Sequence, residues 1–190
     1  AGLLDALKID KAHFMGLSIG GMIGQQLGAR YGDRIHSLSL CNTASEMPPR
    51  SMWEERFATA RSQGLPGLVD GTIKRWFTAP FINRAPEDIE KVRAMILGTN
   101  VDGYIGCGSA VRDMAQSTML LKIRVPTLVV RGENTIRASR YIADSVHAMI
   151  PGSSEVVVTK SGHFVQLENP EEFNHRLMEF LASIRPREHA

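Results

Sequence analysis

The stretch "HFMGLSIGGMIGQQLG", His13 to Gly28, carries the reading of the whole chain. A short apolar run, "AHFMG", is followed by a serine between glycines and then by a glycine-spaced segment with helical periodicity. A buried strand running straight into a helix accounts for that order. In such a turn Ser18 sits where glycines on either side relieve steric crowding, and its hydroxyl is presented above the carboxyl edge of a sheet. The backbone N–H of Ile19 and the positive end of the following helix then face any oxyanion formed there. Ser18 is therefore a candidate nucleophile and Ile19 a candidate oxyanion donor. Gly20, Gly24 and Gly28 recur every fourth residue and share a helix face. Each costs about 1 kcal/mol against alanine within a helix, so close packing of that face on a sheet is the expected compensation.

Working outward, residues 3 to 9 read as the last turns of a helix, with Leu3, Leu4 and Leu7 on one face. "RIHSLSLCN" (Arg34–Asn42), "VPTLVVRGEN" (Val125–Asn134) and "SSEVVVTKSGH" (Ser153–His163) read as further strands bounded by Pro, Gly and Asn. Between the last two, "IRASRYIADSVHAMIPG" places Ile142, Val146, Met149 and Ile150 at helical spacing. A final helix is announced by Asn169 as cap, Pro170 at its first position and Glu171 and Glu172 in its first turn, with Phe173, Leu177, Phe180 and Leu181 on its buried face. Strands alternating with helices imply an α/β fold, a parallel sheet with flanking helices.

Residues 46–119 break that rhythm. They hold amphipathic stretches such as "MWEERFATARSQG", "LVDGTIKRWF" and "PEDIEKVRAMILG" and no convincing strand. They are expected to form a helical lid, leaving residues 1–45 and 120–190 as a core of α/β type.

Composition bounds the remaining possibilities. At 190 residues, 43% hydrophobic and 22% charged, the chain is of ordinary globular character, and its net charge of +2 shows no long basic run of the kind that binds nucleic acid. No apolar stretch approaches the roughly 20 residues of a membrane span. The two cysteines, Cys41 and Cys107, lie far apart without metal-ligand spacing, as in a reducing compartment. A soluble cytoplasmic protein that uses neither nucleic acid, membrane nor metal is the expectation.

A serine nucleophile needs a base. Catalytic groups of open parallel sheets gather at the carboxyl ends of strands. His13 and His36 lie at strand starts, His147 and His175 within helices, and His189 in the tail; His163 alone follows a strand, and is the candidate general base.

These segments together, with "CNTA" (Cys41–Ala44), "KRWFT" (Lys74–Thr78) and "SGHFVQLENPEEFNHRLMEFL" (Ser161–Leu181), resemble the α/β-hydrolase superfamily, and within it the 3-oxoadipate enol-lactonases. The resemblance implies hydrolysis of a small carboxylated enol-lactone in aromatic-compound degradation, through an acyl-enzyme and with no cofactor. It implies that Ser18 attacks the carbonyl while His163 takes its proton. Arg75 and Trp76 are the expected substrate contacts, a guanidinium for the carboxylate and an indole against the ring. A carboxylesterase or a carbon–carbon bond hydrolase fits the same residues, because lids diverge freely. A degenerate hydrolase that binds without turnover fits two departures from the pattern.

The first departure is the triad acid. Similar hydrolases carry G-x-x-D after the corresponding strand, whereas "GENTIRAS" (Gly132–Ser139) has Thr135 at that place. The alternative position, after the strand ending at Cys41, holds Asn42. Glu133 is the nearest substitute carboxylate, with Asp102 and Asp113 behind it. The second departure is at the front: related hydrolases have several strands before the elbow, and a loop there supplies the second oxyanion donor. The expected consequence is an open apolar edge on "AHFMG", completed by an N-terminal segment on another piece or by a second copy of the chain.

Overall fold

The computed structural model describes residues 1–47, 49–135 and 146–184. Two compact units are present, one formed by Ala1–Ser45 with Gln116–Ala190, the other by Glu46–Ala115.

In the first unit, helix α1 (Gly2–Ala6) leads to strand β1 (Ala12–Leu17), helix α2 (Ile19–Arg30) and strand β2 (Ile35–Cys41). Strands β3 (Thr127–Gly132) and β4 (Ser154–Val158) complete a parallel sheet in the order β1-β2-β3-β4. The alternation of side chains along each strand builds two cores. Leu38, Leu40 and Val129 pack on one face with Leu120, Ile123, Val146 and Ile150; Leu128, Val130 and Cys41 pack on the other with Val158, Val165 and Phe173. Helices therefore cover both faces of the sheet, as strands with apolar side chains on both faces require.

The glycine stripe of α2 differs from its expected form. A Cβ on Gly24 would meet Leu40 at 2.9 Å and one on Gly28 would meet Leu38 at 2.4 Å, so both face the sheet closely. A Cβ on Gly20 meets nothing within 4 Å, and it is Gly21 whose Cβ would strike Thr43, at 2.5 Å. The reason is helical drift: at about 100° per residue, eight positions accumulate about 80° of rotation, whereas seven return within about 20°. Gly21, not Gly20, is in register with Gly28.

Leu3 and Leu7 are exposed rather than buried, and β1 is an edge strand among the described residues, with Met15 49% exposed. Residues 146–149 are helical, with Val146 and Ile150 fully buried; Ile142 and the start of the expected helix lie outside the described residues, as does His189. The short helix α8 (Ser117–Leu120) precedes β3; α9 (Val165–Glu168) and α10 (Pro170–Ser183) close the unit. Asn169 caps α10 as expected, its side chain accepting from the Glu172 N–H.

The second unit is helical: α3 (Arg50–Gln63), α4 (Pro66–Trp76), α5 (Ala79–Arg84), α6 (Pro86–Leu97) and α7 (Val101–Arg112). An antiparallel bridge between Glu46 and Ala115 joins its two ends. Its interior is aromatic, with Trp53 and Phe57 buried and Tyr104 edge-on to Phe57.

Candidate active site

Ser18 occupies the step from β1 into α2 with φ 55° and ψ −117°, a conformation that L residues avoid and that costs of order 1–3 kcal/mol. Gly16 shows what permits it. A Cβ there would lie 2.2 Å from the Gly20 carbonyl oxygen, so the first turn of α2 folds directly over the strand. The Ile19 N–H opens α2, where first-turn amides have no carbonyl partner within the helix. The turn is fastened to the end of β2 and the residues after it: the Ser18 N–H donates to the Cys41 carbonyl at 2.9 Å, and the Thr43 hydroxyl donates to the Ser18 carbonyl at 2.8 Å.

His163 follows β4 in a tightly held loop. The Asn134 N–H donates to the Ser161 carbonyl at 2.8 Å and the Ser161 hydroxyl to the Val158 carbonyl, also at 2.8 Å. The Gly162 N–H donates to Oε1 of Glu168, a carboxylate 2% exposed at the end of α9. Gly132 lets this loop approach β3, because a Cβ there would be 2.1 Å from the Gly162 carbonyl oxygen. The His163 ring is half-buried and edge-on to Phe164, and burial pushes its pKa down to about 4. At neutral pH it is an uncharged imidazole, the form a general base requires.

Between these two elements stands Asn42, at φ 39° and 8% exposure. Its Nδ2 donates to the His163 carbonyl at 2.7 Å and the Gly162 carbonyl at 3.2 Å. Its Oδ1 accepts from the Gly132 N–H and from the Thr135 hydroxyl, each at 3.0 Å. Thr135, buried at the place where a carboxylate was expected, also lies within 3.3 Å of the Gly162 carbonyl. A hydroxyl and a carboxamide thus occupy both positions at which an acid was sought.

Two of the substitute acids, Glu133 and Asp113, accept hydrogen bonds of their own. Oε2 of Glu133 accepts the Lys160 N–H at 2.9 Å. Asp113, in the helical unit, is held bidentately by Arg112 at 2.9 and 2.6 Å and also pairs with Arg50, interactions that hold its carboxyl down at about 2. Asp102 lies in the first turn of α7. Arg75 and Trp76 end α4; Nη2 of Arg75 donates to the Thr72 hydroxyl at 2.8 Å, and burial, then the charge of Arg56, lowers its pKa. At the opposite end of the sheet from Ser18, His13 and His36 lie with ring centroids 5.1 Å apart beside a cavity of about 980 Å³, which removes both from the chemistry of the turn.

Sequence reasoning passed over Thr43, Gly132, Ser161 and Glu168. Each acts on main-chain atoms, Thr43 and Gly132 at a distant segment and Ser161 and Glu168 within the histidine loop's own neighbourhood, and the signal in the sequence is no more than a small or polar residue.

Residues 1–176 match the alpha/beta hydrolase family. The chain belongs to that family. The chain is 31% identical over 178 residues to 3-oxoadipate enol-lactonase 2 of Acinetobacter baylyi, covering 91% of this chain and 64% of that protein. It spans, then, under two thirds of the length of that relative. Among solved structures it superimposes on the enol-lactonase of Burkholderia xenovorans LB400 with a TM-score of 0.91 at 32% identity, over 96% of this chain and 70% of that one. A thermophilic esterase from Thermogutta terrifontis, solved with malate bound, gives 0.88 at 28% identity, over 98% and 70%. Among the described residues no helix is long and apolar enough to cross a membrane, and no group of three or more His, Cys, Asp or Glu could hold a metal ion.

Proposed function

We propose that this hydrolase acts on a small carboxylated ester or lactone, in the manner of a 3-oxoadipate enol-lactonase, through an acyl-enzyme on Ser18. The observation that carries the reading is the Ser18 turn: a strained serine at the start of α2, with the Ile19 amide beside it and its backbone locked to β2. In this reading Ser18 attacks the carbonyl carbon and His163 accepts its proton. The alkoxide leaving group takes that proton, and in a lactone it stays attached to the acyl chain. Water, deprotonated by His163, then releases the acid and restores Ser18. The Ile19 N–H stabilises the oxyanion in both steps. No cofactor enters the sequence.

Carboxylate preference is supported by the relatives, an enol-lactonase and an esterase that holds malate, and by a cation in the helical segment that burial keeps short of water. Arg75 is assigned to the substrate carboxylate and Trp76 to its apolar part, with residues 46–119 as the cap. Mass spectrometry after incubation with a fluorophosphonate tests the nucleophile: an adduct on Ser18, absent from Ser18→Ala, is expected. Folded wild-type protein without adduct refutes the acyl-enzyme. The Arg75→Ala variant is expected to raise KM for carboxylated esters by about 10- to 100-fold while leaving uncharged esters unaffected, as for a lost charge-assisted hydrogen bond. Equal effects on both substrates would remove Arg75 from the site.

A further inference from the structure

The carboxamide of Asn42 uses both of its hydrogens and offers its oxygen to two donors, and every one of these bonds ends on β3, on the residue at the expected acid position or on the histidine loop. Its neighbours hold the main chain of Ser18, Cys41 by accepting the Ser18 N–H at its own carbonyl and Thr43 by donating its hydroxyl to the Ser18 carbonyl. Three successive residues therefore tie the nucleophile turn to the loop that carries the base, and do so through backbone atoms. We propose that Asn42 is a positioning residue that sets the place of His163 relative to Ser18 through the histidine's own carbonyl, in a site where neither Asn42 nor Thr135 brings a negative charge.

The amide is required, rather than tolerated, by the acceptors around it. Nδ2 faces two carbonyl oxygens at 2.7 and 3.2 Å. A carboxylate in the same place would turn both contacts repulsive in a buried setting, so position 42 in this conformation excludes an ionised acid. Thr135 has a single hydroxyl hydrogen for two acceptors, Asn42 Oδ1 and the Gly162 carbonyl, and it reinforces the same loop. Proton transfer is steep in geometry, and misplacement of the base by about 1 Å costs about 100-fold in rate. Among the described residues, the titratable groups bearing on this node are His163 itself, Glu168 through the Gly162 amide, and Glu133 through the Lys160 amide.

The inference rests on the serine-hydrolase reading for its consequence in rate, so its test has a readout that needs no reaction. The His163 imidazole is followed by nitrogen NMR in wild type, Asn42→Ala and Asn42→Asp. With the loop released in Asn42→Ala, the ring gains water and its pKa moves from about 4 toward the ordinary 6.5; an unchanged value in a folded variant overturns the proposal. Fluorophosphonate labelling of Ser18, measured well below each melting temperature, is expected to slow by at least about 10-fold in Asn42→Ala with little change in the concentration dependence. A merely structural role would lower the melting temperature and leave that rate alone. Asn42→Asp supplies the conservative rescue: its buried carboxyl, raised in pKa by the carbonyls, regains an O–H donor when protonated. Its labelling rate relative to wild type is expected to climb as pH falls from 8 to 5, and a flat ratio overturns the proposal. Failure of wild type to label at all would strike the serine reading instead, and the NMR result would still decide whether Asn42 positions His163.

Discussion

Two alanine substitutions inside the same motif should have opposite signs. At Gly16 an added Cβ would lie 2.2 Å from the Gly20 carbonyl oxygen, 2.3 Å from its carbon and 2.6 Å from the Gly21 nitrogen. All three are backbone atoms of the first turn of α2, so no side chain can rotate away, and relief requires moving the helix off β1. Overpacking against mobile side chains costs about 1–3 kcal/mol, and a backbone clash belongs above that range. At Gly20 the added Cβ meets nothing within 4 Å, and the residue is helical, so alanine stabilises by about 0.4–1 kcal/mol through the unfolded chain. For a chain of 190 residues about 1 kcal/mol moves the melting temperature by about 2–4 °C. Gly16→Ala is thus expected to melt at least about 6 °C lower, and Gly20→Ala about 1–4 °C higher. Urea unfolding followed by circular dichroism checks both on one scale. Equal destabilisation by the two variants would refute the close approach of the turn to β1, as would a Gly16→Ala protein with wild-type stability.

Three further outcomes follow from the same structure. Burial pushes the Cys41 thiol up to about 12 while Cys107 is exposed, so a disulfide reagent at pH 8 should modify Cys107 at once and Cys41 only at the rate of unfolding; fast modification of both would contradict the packing of β2. His163 is held uncharged, with its folded pKa depressed to about 4 against 6.5 in the unfolded chain. The unfolded state therefore binds the extra proton first, and stability falls as pH drops from about 6.5 to about 4. The acid limb of kcat/KM should lie near 4 for the same reason, and a limb near 6.5 would show a solvated ring.

Much of the candidate site is legible in one dimension. The spacing of "GLSIGG" after an apolar run places Ser18 on a strand-to-helix turn, and His163 emerges from the positions of the histidines relative to strand ends, without any knowledge of contacts. The strand segments and the capped final helix are local features as well: β-branched runs between Pro and Gly, or an Asn-Pro-Glu start, form much the same structure wherever they stand. Gly20 marks where this kind of reasoning fails. Spacing by four suggested one face, but which residue touches the sheet depends on the rotation of α2 against β2, and Gly21 is the one against Thr43.

The sequence by itself determined the alternation of strand and helix and the strand-to-helix turn at Ser18, and it marked His163 as a candidate base by its place after a strand, because each depends on neighbours a few residues away. Tertiary structure alone decided what surrounds them. Asn42 is bonded to a loop 120 positions along the chain, and Glu168 becomes a buried acceptor only when α9 folds back on the Gly162 amide. An amide side chain in a sequence carries no record of which carbonyls it will meet. Hydrogen bonds are directional and short, so the partners of Asn42 are fixed only when β2, β3 and the loop after β4 have come to lie side by side.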